Sequence, residues 1–209
     1  MEVKLAGLPQ NFAAISNVLP TYDFVDIIAG TGYVNFYAGN TVDKKCLSNF
    51  EFYSDDMYTA TDANHAGFTL IYDADYDVVL NRPLDIYGLG IVNVPIHLTT
   101  SAGITEGYVI AILRKWDGVT ETDIATNQSD TYTTVATSYR MVALDLTIAL
   151  THFKKGETLR LTINTYGKTN AHVGAVDVGN DPKNRSAGWD TTGAVPSQLS
   201  FQCPVRLNL

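Results

Sequence analysis

Apolar and polar residues alternate with a period of two along most of this chain, the spacing of strands with one buried face. The clearest run is the last: Leu199, Phe201, Cys203, Val205, Leu207 and Leu209 alternate with Ser200, Gln202, Pro204, Arg206 and Asn208. It predicts a half-buried strand that builds the C-terminus into a sheet. Val25 and Ile27 begin a strand that turns at Gly30 and Gly32 into a second run, Tyr33 to Ala38, which ends at Gly39-Asn40. Leu47 to Tyr53 follows, with Phe50 and Phe52 on one face, and then Phe68 to Tyr72.

From Leu84 to Leu98 one parity holds Leu84, Ile86, Val92, Val94, Ile96 and Leu98, interrupted by Gly88 and Gly90, which leave room for a bulge or bend where one strand serves two sheets. Tyr108 to Leu113 is apolar on both faces, as in a central strand. Asp117-Gly118 then predicts a hairpin into Thr120 to Ala125. Thr126 to Ser138 reads as loop with one short strand. Met141 to Leu150 alternates cleanly, with Val142, Leu144, Leu146, Ile148 and Leu150 inward, and Lys155-Gly156-Glu157 turns the chain into Leu159, Leu161 and Ile163. A Gly-, Asn- and Asp-rich connection from Tyr166 to Pro196 precedes the closing strand, longer than connections usually are.

Eight to ten such strands predict an all-β chain, an antiparallel two-sheet β-sandwich of jelly-roll type. Residues 22–209 form its single domain, a size that sandwiches reach as one unit. Residues 1–21 read either as an N-terminal arm that binds a neighbouring subunit or as an edge strand.

Composition narrows the partners. The chain has 209 residues, 45% hydrophobic and only 17% charged, so Tyr, Thr, Asn and Ser supply much of the polar surface. Fourteen Lys and Arg against twenty-two Asp and Glu leave a net charge of −8, which repels phosphate backbones and argues against nucleic acid. No window has the roughly 18 apolar residues of a membrane span, and Met1 to Ser16 lacks the pattern of a cleaved signal. The two cysteines, Cys46 and Cys203, have no metal spacing and read as small buried hydrophobes.

Candidate chemistry is sparse. Asp73, Asp75 and Asp77 stand at alternate positions, like the first half of a calcium loop, but the glycine and the twelfth-position Glu of an EF-hand are missing. A calcium site here would draw on Asp55, Asp56 and Asp62; the plainer reading is a solvated strand face. His65, His97, His152 and His172 lie too far apart in sequence for a local zinc set, and His97 faces away from the apolar row of its strand. No Gly-x-Ser-x-Gly occurs, and the many carboxylates allow too many pairings to single out a glycosidase pair. Exposed aromatics are the other candidates: Trp116 at a hairpin tip, Trp189 in the Gly-rich connection, and Tyr53, Tyr58 and Tyr132 in loops or strand ends. They can stack on sugars or anchor an interface, or simply cap the core.

Val178-Gly179-Asn180-Asp181-Pro182-Lys183-Asn184-Arg185, followed by Leu199 to Leu209, resembles the C-terminal end of jelly-roll virion proteins of tailed bacteriophages. Gly30 to Tyr37 and Lys115 to Thr122 are similar to such proteins as well. In physical terms, Asp181 before Pro182 favours a turn, and Arg185 can hold the loop by pairing with Asp181 or reaching backbone carbonyls. The resemblance implies a non-enzymatic virion component, such as a head-decoration, fibre-base or adaptor protein, on the exterior of a particle assembled in a host cytoplasm. It further implies a homo-oligomer, a trimer first, that binds major capsid or other virion proteins. The alternative is a carbohydrate- or receptor-binding module that meets a host surface glycan through Trp189, Trp116 and Tyr58, with calcium at Asp73, Asp75 and Asp77.

Overall fold

A computed structural model describes residues 31–170, 174–185 and 195–206. They are all-β, without a helix. The strands are β1 (Thr31–Asn40), β2 (Lys45–Ser48), β3 (Tyr58–Thr59), β4 (Thr69–Val79), β5 (Leu84–Thr100) and β6 (Thr105–Trp116). They continue as β7 (Glu121–Gln128), β8 (Tyr132–Thr134), β9 (Ser138–Phe153), β10 (Thr158–Thr169), β11 (Gly174–Gly179) and β12 (Leu199–Arg206). Hydrogen bonding runs β3-β11-β5-β12-β1-β2-β4-β10-β6-β7, with β8 added on β6 and β9 on β5. The pairs are antiparallel except β2 with β4, which meet in parallel at a single position, Cys46 opposite Asp77.

This path curls until its distant parts touch. Lys115 Nζ on β6 donates to the His152 carbonyl on β9 at 2.7 Å, and Asn127 Nδ2 on β7 donates to the Asp145 carbonyl on β9 at 2.8 Å. Enclosed between them is one apolar core, in which Val92, Val94, Ile96 and Leu98 of β5 belong to the same cluster as Val109, Ala111, Leu113, Leu159, Leu161 and Ile163 of β6 and β10. Each fully buried Leu or Ile there is worth roughly 1.5–3 kcal/mol relative to exposure.

The long β5 joins separate partners, as its glycines suggest. Its first half pairs with β12, its second half with β11, and β9 runs along its other side. Gly88 takes φ 118°, where a side chain is strained, and a Cβ on Gly90 would stand 2.8 Å from Phe201 Cε2. β12 lies between β1 and β5, and Leu199, Phe201, Cys203 and Val205 are buried as the alternation predicts.

The structure corrects several sequence readings. Leu150, expected inward, is 55% exposed. Ile86 faces Thr151 while Gly88 faces Ile148, so Ala149 and Leu150 together oppose Tyr87 in a β-bulge that changes parity and turns Leu150 outward. β2 ends at Ser48 and not at Tyr53, and Phe50 is exposed. Cys46 is only half-buried, because its neighbour Leu47 takes the inward position. Within the Gly-rich connection lies β11, a strand masked in the sequence by its small residues. The expected strand at Val25 and Ile27 and the arm over residues 1–21 fall outside the described residues.

Candidate functional site

The Asp181 loop is built from its own sequence. Asp181 is fully buried, and its carboxylate accepts hydrogen bonds from the Arg185 backbone N at 2.5 Å, Arg185 Nε at 3.0 Å and Nη2 at 3.1 Å. Arg185 Nη2 also donates to the Ser54 carbonyl at 2.6 Å, so the loop is held both by the ion pair and by a backbone carbonyl. Asn184 sits at φ 54°, a left-handed position that asparagine tolerates, and its Oδ1 accepts from Ser197 N at 2.7 Å. Tyr53 lies against the Arg185 guanidinium at 5.3 Å. A buried carboxylate saturated by its own loop is a structural clamp. Pro182 packs on Gly39 of β1, where a Cβ would stand 2.8 Å from Pro182 Cδ and 2.7 Å from Phe52 Cζ.

A second cluster covers the outer face of β4, β10, β6 and β7. The acids of β4 meet β10 in register: Asp77 opposite Arg160, Asp75 opposite Thr162 and Asp73 opposite Asn164. Arg160 binds Asp77 through two bonds, Nε to Oδ1 at 2.7 Å and Nη2 to Oδ2 at 2.8 Å, and reaches Glu121 Oε1 at 2.8 Å. Arg114 binds Asp123 at 2.8 Å and Thr162 Oγ1 at 3.1 Å, and that hydroxyl donates to Asp75 at 2.5 Å. The Asp77 contact drives the Arg160 pKa further above its already high value. Asp75 and Asp77, offered for calcium by the sequence, thus have guanidinium and hydroxyl partners, and Asp55, Asp56 and Asp62 are exposed. Among the described residues no three His, Cys, Asp or Glu side chains converge as metal donors.

A third row crosses β11, β5 and β9. Asp177 faces His97, and His97 faces Tyr139. His97 and Asp177 are buried, with Nδ1 3.6 Å from Oδ2, and Asp177 Oδ1 accepts from Thr61 N at 2.9 Å. Burial pushes the Tyr139 phenol up to about 12. This row is histidine–carboxylate chemistry walled off from solvent. Burial also raises both thiols, Cys203 the more, which keeps Cys46 and Cys203 protonated at neutral pH and unsuited to nucleophilic attack.

No protein-family model matches the chain, and no curated protein does so significantly. Solved structures do. A CocE/NonD family hydrolase from Staphylococcus aureus matches 84% of this chain and 37% of its own at 13% identity and a TM-score of 0.52. An α-amino acid ester hydrolase matches 83% of this chain and 36% of its own at 12% identity and a TM-score of 0.54. The chain therefore spans little more than a third of the length of these enzymes. At such identity the likeness establishes a shared fold.

Neither structure is a virion protein, and the finding corrects the expectation of a non-enzymatic capsid-decoration protein together with its glycan- or receptor-binding alternative. The reason is physical: the Asp181–Arg185 loop and the closing strand that carried the phage resemblance are a clamp and a central strand, features of fold that proteins of different function can share.

The structure scatters the sequence-derived site residues. Trp189 and His172 lie outside the described residues. Trp116 is half-buried with the Arg160 guanidinium 5.9 Å from its ring, and Tyr58 is half-buried in β3 beside Gly179. Asp181 and Arg185 form their own pair. Sequence reasoning missed Arg114, Arg160, Asp177 and Tyr139. The signal for the arginines is that Arg160, Thr162 and Asn164 alternate like the acids of β4; Asp177 is hidden in an unpredicted strand.

Proposed function

We propose that this chain provides the β-domain of a hydrolase that cleaves esters or amides, arranged as a two-sheet jelly roll. The observation that carries the reading is the match of over four-fifths of this all-β chain to little more than a third of a CocE/NonD family hydrolase and of an α-amino acid ester hydrolase. The curled sheet, with β6 and β7 lying over β9, supports the two-layer arrangement. An attachment surface for the catalytic body is supplied by exposed Tyr33, Tyr87, Leu89 and Leu150. Tyr33 faces Pro204, which approaches Gly88, and Tyr87 and Leu89 flank that glycine with Leu150 across the bulge. Contiguous apolar groups on an outer sheet face mark an interaction surface.

The test is to purify the protein in its native assembly and assay a panel of α-amino acid esters, acyl esters and dipeptides. Hydrolysis that co-purifies with the chain and is lost in the Leu89→Asp variant, with the melting temperature of the chain unchanged, is the expected result. A native preparation without turnover of any panel member overturns the proposal.

A further inference from the structure

At the seam between β2 and β4 the sheet opens. Their single bridge, Cys46 opposite Asp77, leaves no ladder beyond it, and there a partly open cavity of about 200 Å³ is lined by Val34 and Phe36 of β1, Val78 of β4, and Leu80 and Leu84 of the β4–β5 turn. Three polar residues join the lining, and of these Asn81 and Arg82 are exposed, whereas Asn49 has its Nδ2 buried without a hydrogen-bond partner. A buried amide donor left unmade is costly, and a ligand that accepts from it recovers that cost. An apolar protein cavity of about 150 Å³ is already large enough to hold benzene.

We propose that this cavity is a binding site for a neutral, benzene-sized apolar compound bearing one carbonyl, with the apolar group against Val34, Phe36, Val78 and Leu84 and the carbonyl oxygen accepting from Asn49 Nδ2. Neutrality follows from the largely apolar lining, whose one charged residue, Arg82, is exposed and already engaged in another interaction. The site is separate from the attachment surface and does not depend on the hydrolase reading.

Acetophenone is the probe and toluene, which lacks the acceptor, is the control, both titrated into the whole protein by NMR. Acetophenone is expected to saturate one site and to bind about 3- to 10-fold more tightly than toluene, the range set by one neutral hydrogen bond. Asn49→Leu abolishes that preference while toluene still binds, and Val78→Phe, which fills the cavity, removes both. Intermolecular NOEs from the acetophenone ring to the Val34 and Val78 methyls locate the ligand in the unsubstituted protein, so the test stands even if Val78→Phe fails to fold. Absence of saturable binding, equal affinity for the two probes, a preference that survives Asn49→Leu, or NOEs to other residues overturns the proposal.

Discussion

Replacing Arg185 by methionine tests whether the Asp181 loop is clamped as described. The substitution keeps the aliphatic stem but removes the guanidinium that donates to both oxygens of Asp181 and to the Ser54 carbonyl. Asp181 has no exposed side-chain surface, so its carboxylate is left with only the backbone N–H groups of Lys183 and Arg185. Breaking a fully buried pair costs about 3–5 kcal/mol, and an exposed pair about 0–1. Because the Arg185 side chain is 36% exposed and its partner not at all, the expected loss is about 2–3 kcal/mol. In a domain of this size each kcal/mol lowers the melting temperature by about 2–4 °C, so calorimetry should show a fall of roughly 4–12 °C. Asp181→Asn should cost less, since its amide oxygen still accepts a backbone bond and Arg185 can turn to water. The double variant should lose at least about 1 kcal/mol less than the sum of the two, a coupling well above the ~0.5 kcal/mol scatter of independent sites. A drop of under 2 °C for Arg185→Met, or additive losses, would refute the clamp.

Deleting Pro204 to Leu209 should abolish cooperative unfolding, because Pro204, Val205 and Arg206 pair with Tyr33, Gly32 and Thr31 on one side and Val205 and Arg206 with Ile86 and Asp85 on the other. Near-UV circular dichroism reads this, and a truncated chain melting within a few degrees of the whole one would show the strand end to be dispensable. Alkaline stability should fall through the buried phenols. Burial raises Tyr72, and Tyr76 far more, and the two hydroxyls share a 2.7 Å hydrogen bond. Their folded pKa values lie above the unfolded value near 10, so this contribution is complete below about pH 10 and is lost above it, by about 1.4 kcal/mol per pH unit for each phenol held neutral. Tyr76→Phe should flatten that decline in urea titrations between pH 9 and 11; parallel declines in the two proteins would count against it. Acid acts oppositely on Glu157, whose pKa is lowered first by the Lys115 hydrogen bond and then by the Lys154 backbone N–H. Its contribution is present above the unfolded pKa near 4.3 and is lost as pH falls, so Glu157→Gln should weaken the acid dependence of the midpoint below pH 5.

Alternation along the chain was enough to determine an all-β fold, the extent of β5 within a few residues, the start of β10, though not its run on to Thr169, and the buried rows of β9 and β12, because burial of one sheet face imposes a period of two whatever the partner strands are. Where local spacing was disturbed, only tertiary structure decided. The bulge opposite Tyr87 sends Leu150 to solvent, and no property of Leu150 itself signals that extra residue. Asp73, Asp75 and Asp77 look alike in sequence, yet register against β10 gives Asp77 a two-bond arginine, Asp75 a hydroxyl and Asp73 an asparagine. Asp177, His97 and Tyr139 are distant in sequence and become one row only because β5 accepts β11 on one side and β9 on the other. The cavity beside Asn49 exists because β2 and β4 meet at one position and then part. Side-chain periodicity is a local consequence of backbone geometry, whereas strand order, register and the gaps between strands depend on long-range contacts that no single segment encodes.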